Sequence, residues 1–343
     1  MNILGIQFAP LNVPMQRRLQ TLAAAAWFII LAFGGFAGWG LTAYFILYTR
    51  LRWITLFYLG WMFFIDKDIE ERGGRPSKYM KSLTWWKYLK EYFPFKLIKV
   101  EGVELDPRQN YLFCSFPHGM LSAGSFNAFV YDRSGFNEHF PHHQASVVTL
   151  AQHYKMPFYR DFGLSLGGIS ASYKSIDYVL KQPEGGRIAV LMVGGAAEAY
   201  YCKPGEYTFV LKKRKGFVKL AIRNGTPLVP VLNFGETDLF TQFSSSKGSW
   251  FHRLQEALRK YTGMAPIIPL GRGFFQYSFG LVPQRKPLTV VVGHPVNLQK
   301  NSNPTQKDID DVHSQFIEAL KALFDEQKKQ HFKDPKNIKL SIV

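Results

Sequence analysis

Cysteine is nearly absent: Cys114 and Cys202 are the only two in 343 residues, and neither stands in a C-x-x-C pair or a ligand-spaced set. That excludes a disulfide framework, offers no zinc site, and suits a domain facing a reducing compartment. Acidic residues are scarce too, 25 Asp and Glu against 42 Lys and Arg, leaving a formal charge of +17. An excess of that size calls for an anionic partner, whether nucleic acid, anionic lipid or a phosphate-rich ligand. Repeats, low-complexity tracts and Pro/Ser-rich linkers are missing. So is a G-x-S-x-G nucleophile elbow, which removes a covalent hydrolase of that kind. No recognised nucleic-acid reading module is present, which turns the charge toward lipid or phosphate. Hydrophobic content of 47% excludes disorder and allows a sizeable core.

Charge is also missing from residues 21–48, a run long enough to cross a bilayer, which needs about 20 apolar residues. Arg50 and Arg52 follow at once, then a second apolar stretch of thirteen residues from Trp53 to Ile65. Thirteen is short for a straight span, and no small-residue cleavage site precedes a polar mature chain. The pattern predicts an uncleaved transmembrane or re-entrant hairpin, with a pair of buried core helices as the soluble alternative. Arg17 and Arg18 before it, and Lys67, Arg72, Arg75, Lys78 and Lys81 after it, favour both flanks on the cytoplasmic side, although Arg50 and Arg52 lie between them. The chain divides accordingly into an N-terminal cytosolic segment (1–20), the hairpin (21–65) and one catalytic domain (66–343).

The segment 85–95 reads as an amphipathic basic-aromatic helix, either lying on a bilayer or packed on the domain. Beyond it, short apolar runs at 111–115, 146–150, 187–193, 228–234 and 288–292 alternate with helical patterns at 170–181, 216–223 and 305–329. That alternation predicts an α/β fold with a mixed or mostly parallel sheet.

Candidate chemistry gathers after the predicted strands, where α/β folds collect ligands. Pro117-His118-Gly119 follows the first, and makes His118 a candidate general base; a lone histidine is otherwise a hydrogen-bonding fixture of the fold. The run 187–193 leads into Gly194-Gly195-Ala196-Ala197-Glu198, where small residues admit a ligand and exposed amides can hold an oxyanion, or where the turn is simply tight. Lys213, Arg214 and Lys215 open a helical pattern and suit phosphates, or else face anionic headgroups. Arg160 and Asp161 shape a ligand pocket or form a plain ion pair, and Ser170 is a plausible helix cap. His139, His142 and His143 cluster without a carboxylate or thiol beyond Glu138, so no metal is assigned.

These segments together resemble the type 2 diacylglycerol acyltransferase family, which includes monoacylglycerol and wax-alcohol acyltransferases. The similarity covers nearly the whole chain: Phe8-Ala9-Pro10, Arg17-Arg18-Leu19-Gln20-Thr21-Leu22, Tyr92-Phe93-Pro94, Pro117-His118-Gly119, Arg160-Asp161-Phe162 and Val193 to Glu198. It continues through Arg214 to Ala221, Leu228-Val229-Pro230, Phe234-Gly235-Glu236, Gly271-Arg272-Gly273 and Phe279 to Pro283. The resemblance implies a membrane-anchored acyltransferase of the endoplasmic reticulum, facing the cytosol and extending to lipid droplets. It implies long-chain acyl-CoA as a substrate rather than a cofactor, diacylglycerol or monoacylglycerol as acceptor, and a phospholipid bilayer as partner; a homo-oligomer stays open. It makes His118 the catalytic base and Glu198 important beside it, and directs attention to Arg272. Three positions depart from the family pattern, where Phe116, Leu270 and Thr237 replace two histidines and an asparagine. They motivate a competing reading, a catalytically impaired lipid-binding or droplet-coating protein.

Overall fold

The strand Tyr111–Phe116 shows how the domain is layered. Its residues alternate, as strand geometry requires. Tyr111 and Phe113 enter one apolar cluster, and Leu112, Cys114 and Phe116 enter another on the opposite face. Both faces of the sheet are therefore covered, which is why its strands are continuous apolar runs. The computed structural model describes residues 2–10, 12–242, 249–262 and 267–343.

The seven strands of the central sheet are β1 (Phe95–Lys99), β2 (Tyr111–Phe116), β3 (Gln144–Thr149), β4 (Gly168–Ser170), β5 (Arg187–Met192), β6 (Leu228–Phe234) and β7 (Leu288–Val292). Their spatial order is β1-β7-β6-β2-β5-β3-β4. Strands β6, β2, β5, β3 and β4 are mutually parallel. β7 runs antiparallel to β6 and parallel to β1, so the sheet is mixed but mostly parallel, as the alternation predicts.

One face is covered by α1 (Met15–Tyr48), by α3 (Trp85–Tyr92), and by α4 (Ala123–Phe129); α2 (Arg52–Gly60) returns from the tip of α1. The other face is covered by α6 (Tyr173–Leu180), α7 (Gly216–Asn224) and α8 (Gln306–His331), whose apolar residues build the second cluster. A capping box fixes the start of α8: Thr305 Oγ1 accepts from the Asp308 amide, and the Asp308 carboxylate accepts from the Thr305 amide at 2.8 Å.

One local expectation changes, and one pair of alternatives resolves toward packing on the domain. The helix expected over 170–181 starts at Tyr173, because Ser170 is drawn into β4 and Ser172 provides the cap, its Oγ accepting from the Ser175 amide at 3.2 Å. The segment 85–95 does not lie free for a bilayer: Trp86, Leu89 and Tyr92 are buried against α1, and Phe95 already belongs to β1.

The apolar block behaves as two halves. Ala23, Ala24, Trp27 and Phe28 in the first half of α1 are core residues of the domain. Beyond them one side of the helix stays against the domain, with Gly35, Gly38 and Thr42 buried, while α1, α2 and the π-helical turn Trp61–Ile65 expose Phe36, Trp39, Leu47, Trp53, Phe57 and Phe64. Exposed large apolar side chains grouped in this way mark an interaction surface, for a membrane or a protein partner. Where the halves meet, glycines let α1 lie against residues 156–159. A Cβ on Gly35 would stand 2.0 Å from Met156 Sδ, and one on Gly38 2.1 Å from the Pro157 carbonyl oxygen. Replacing Gly38 with leucine is expected to destabilise the detergent-solubilised protein by about 1–3 kcal/mol, read as a lowered melting temperature. Leucine at Gly40, where a Cβ meets nothing within 4 Å, leaves it unchanged.

Candidate active site

The loop that leaves β2 turns at Pro117 and carries His118 to the carboxyl end of the sheet. Two buried carboxylates hold its main chain. Glu198 Oε2 accepts from the His118 amide at 2.7 Å, and its Oε1 accepts from the Val210 amide at 2.8 Å. Glu236 accepts from the Ala123 and Gly124 amides at 3.0 and 2.6 Å, at the start of α4. Burial pushes both carboxyl groups up to about 7, against the hydrogen bonds that favour the charged form. Gly119, at φ +61°, and Gly194 have no Cβ because the Glu236 and Glu198 side chains occupy that space, each 2.3–2.4 Å from where one would stand. A small polar set braces the same loop: Asn233 Nδ2 donates to Ser115 Oγ at 2.9 Å and to the Pro117 carbonyl at 3.2 Å, and Ser115 Oγ lies 2.8 Å from Ser125 Oγ.

His118 Nδ1 lies 3.0 Å from the Gly119 carbonyl oxygen. A carbonyl only accepts, so Nδ1 carries the proton and Nε2 keeps its lone pair. Burial lowers the imidazole's pKa, which favours that neutral state. His118 lines a cavity of about 430 Å³, mostly apolar. Its walls come from α1 (Phe28, Leu31, Ala32 and Phe33), from α4 (Ser125 and Phe126), and from Met192, Gly195 and Ala199 around the end of β5. Phe33 lines the cavity and is also 47% exposed on the outer surface of α1, so the chamber borders the apolar exterior.

The other expected site residues are distributed more widely. Gly194 and Gly195 are at the site, Gly195 on the cavity wall and Gly194 against Glu198. Arg160 touches the cavity but turns its charge away: 1% exposed, it donates from Nη1 to Asp66 Oδ2 at 2.9 Å and from Nη2 to the Asp66 carbonyl at 3.0 Å. Asp161 does not line the cavity; it accepts from Arg75 at 3.1 Å and from the Tyr58 hydroxyl. Arg160 thus lines the cavity and also belongs, with Asp161 at 3.8 Å, to a clamp that ties the end of the hairpin to α5 (Tyr159–Ser165). Lys213 and Arg214 are exposed on the loop before α7, and Lys215 is engaged by Asp310 at 2.6 Å. Arg272 lies outside the cavity, with its guanidinium over the Tyr277 ring. His139 and His143 sit near the amino-terminal ends of the strands, one bonded to the Leu97 carbonyl and one against Tyr111.

Sequence reasoning missed Glu236, Ser125, Asn233 and His153. Glu236 was visible only as a motif residue, since its partners lie 112 and 113 positions away. His153 lines the cavity, and burial pushes its ring down to about 4. Of the three departures, Phe116 faces the opposite cluster, stacked on Phe209 at 5.1 Å, and Thr237 is buried beside Tyr207. Only Leu270, next to cavity residue Pro269, stands near the chamber, so Phe116 removes nothing from its wall.

A buried imidazole on the wall of an apolar chamber, at the carboxyl end of a mostly parallel sheet and beside an exposed apolar helix, suits an α/β enzyme that acts on apolar substrates. Residues 44–342 match the family described as diacylglycerol acyltransferase. "2-acylglycerol O-acyltransferase 1" of Bos taurus is 41% identical over 323 residues, 94% of this chain and 95% of that protein. "Diacylglycerol O-acyltransferase 2" of Dictyostelium discoideum is 39% identical over 94% of this chain and 96% of its own. "Diacylglycerol O-acyltransferase 2B" of Umbelopsis ramanniana is 39% identical over 96% and 93%. The chain belongs to the diacylglycerol acyltransferase family and is an acyltransferase.

Two outcomes are expected. Arg160→Ala removes the closest partner of the mostly buried Asp66 carboxylate, which keeps Arg75 at 3.1 Å, and costs about 1–3 kcal/mol, measured by thermal unfolding in detergent. Glu198 and Glu236 bind protons more tightly folded than unfolded, so stability falls as pH rises from about 4.5 to about 7. Glu198→Gln, which stays neutral, makes that decline shallower in a pH series of melting temperatures.

Proposed function

We propose that this protein is an acyl-CoA-dependent diacylglycerol O-acyltransferase that completes triacylglycerol, with His118 as general base. The observation that carries the reading is the neutral His118 imidazole on the wall of an apolar chamber whose other wall is the membrane-facing helix α1. The acceptor hydroxyl gives its proton to Nε2 as its oxygen bonds to the thioester carbonyl carbon. The carbon–sulfur bond then breaks, and the coenzyme thiolate takes the proton back from the imidazolium. A positioned imidazole contributes about a hundredfold to ten-thousandfold to such a step. Glu198 positions the base through its main-chain amide, and the amides of Gly194 and Gly195 are suited to steady the oxyanion. Lys213 and Arg214, exposed on the loop that Val210 ties to Glu198, offer positive charge to anionic groups near the site, while Lys215 is paired with Asp310. No cofactor enters the step.

The relatives' names also support a second acceptor, a 2-monoacylglycerol, since a 2-acylglycerol O-acyltransferase is 41% identical to this chain. One acyl chain more or less on the acceptor is decided by pocket shape.

We place the domain on the cytosolic face of the endoplasmic reticulum, with access to lipid droplets. From Gly38 to the end of α1 is only about 16 Å of helix, half the hydrocarbon thickness of a bilayer. A re-entrant hairpin in one leaflet fits that length and the basic residues on both flanks.

The reading is tested with microsomes containing the protein, given labelled oleoyl-CoA and, separately, diacylglycerol, 2-monoacylglycerol or hexadecanol. Label is expected in triacylglycerol, reduced at least a hundredfold by His118→Ala. Equal label in wild type and His118→Ala favours a lipid-binding protein without catalysis. Because burial lowers the imidazole's pKa, kcat/KM is expected to persist at more acidic pH than a base of the ordinary 6.5 permits.

A further inference from the structure

Three arginines meet where α1 enters the domain. Arg285 donates from Nη1 to Gln20 Oε1 at 2.6 Å and from Nη2 to the Arg17 carbonyl at 3.5 Å, with its guanidinium carbon 4.4 Å from the centre of the Tyr92 ring. Arg272 lies 4.2 Å over the Tyr277 ring and donates from Nε to the Gly273 carbonyl at 3.2 Å. Arg17 is exposed beside them. Among the described residues, none of the three has a carboxylate within ion-pair distance. Glu91, on the adjoining α3, is taken up by Gln16, Gln20 and Lys87. Burial first, and then the neighbouring charges of Arg17 and Arg272, lower the pKa of Arg285, against an opposing effect of Tyr92 and Tyr277.

The cluster is aligned with the chamber. Arg17 precedes Phe28 by eleven positions, three turns and about 20° more, so both project from one face of α1 about 16 Å apart. Ile267 and Pro269 line the chamber, and the chain from them leads to Arg272. Two elements thus run from the catalytic chamber to the same positive site.

We propose that Arg17, Arg272 and Arg285 form a cradle for a phosphate ester. Guanidinium forks suit phosphate oxygens, and Tyr92 and Tyr277 hold two of them flat. The phosphate has two chemical sources, the coenzyme end of the acyl thioester or an anionic lipid headgroup at the bilayer surface. The first source rests on the acyl-CoA reading above, and would hold the thioester's polar end while its acyl end reaches His118.

The test uses the detergent-purified full chain carrying Arg17→Gln and Arg272→Gln, with Lys321→Gln on α8 as a control for bulk charge. CoA binding is measured by calorimetry, and liposome flotation with phosphatidylcholine alone or with added phosphatidic acid. A CoA Kd raised about tenfold or more identifies the coenzyme phosphate. An unchanged CoA Kd with loss of the phosphatidic acid-dependent flotation identifies the headgroup. Binding and flotation both within twofold of the Lys321→Gln control overturn the cradle. If the double variant melts early, Arg17→Gln alone is read by the same criteria, since that side chain is exposed. His118→Ala separates the two readings: it keeps wild-type CoA binding and flotation, and turnover in it would count against the base, not the cradle.

Discussion

Everything at this site depends on two carboxylates that leave water to accept backbone amides. Glu198 takes the amide of His118 itself, and Glu236 takes the first amides of the helix that follows. A charge-assisted bond from a buried carboxylate to a peptide N–H is short and directional, and leaving either partner unmatched inside the protein is costly. The loop between β2 and α4 is therefore held at both ends, and the imidazole at its centre has no side-chain hydrogen-bond partner among the described residues. Glycine at 119 and 194 follows from that choice, because the carboxylates occupy the space a Cβ would fill.

The second constraint is that α1 serves two solvents. Its first half supplies Trp27 and Phe28 to the core and forms a chamber wall, and its second half exposes aromatic and aliphatic side chains. A lipid acceptor need not cross water to reach His118 if the chamber wall is the helix that enters the bilayer. The glycines at 34, 35 and 38 make this possible by letting the helix lie against residues 156–159. The clamp of Arg160, Asp66, Arg75 and Asp161 fastens the returning end of the hairpin at the same place.

The surplus of positive charge is sorted by the fold. Arg160 is consumed internally by Asp66 and Lys215 pairs with Asp310 at the surface, whereas Arg17, Arg272 and Arg285 remain without carboxylate partners among the described residues. A count of +17 treats all of these alike. Burial and pairing decide which charges are structural and which face a ligand.

The sequence by itself determined the alternating elements, the mostly parallel sheet, the apolar hairpin, and the placement of His118 and of Gly194 to Glu198 after two strands. These follow from local patterns: alternation of period two, an uncharged run of bilayer length, and small residues after a strand. It misplaced the start of α6, because Ser170 and Ser172 are equally good caps until strand pairing claims the first. Only the tertiary structure decided that Glu236 braces the histidine loop, that Arg160 spends its charge on Asp66 while lining the chamber, that Phe116 faces away from the chamber, and that Arg17, Arg272 and Arg285 meet. Each of those depends on contacts between residues far apart in the chain, and a local pattern carries no information about which buried group will satisfy which.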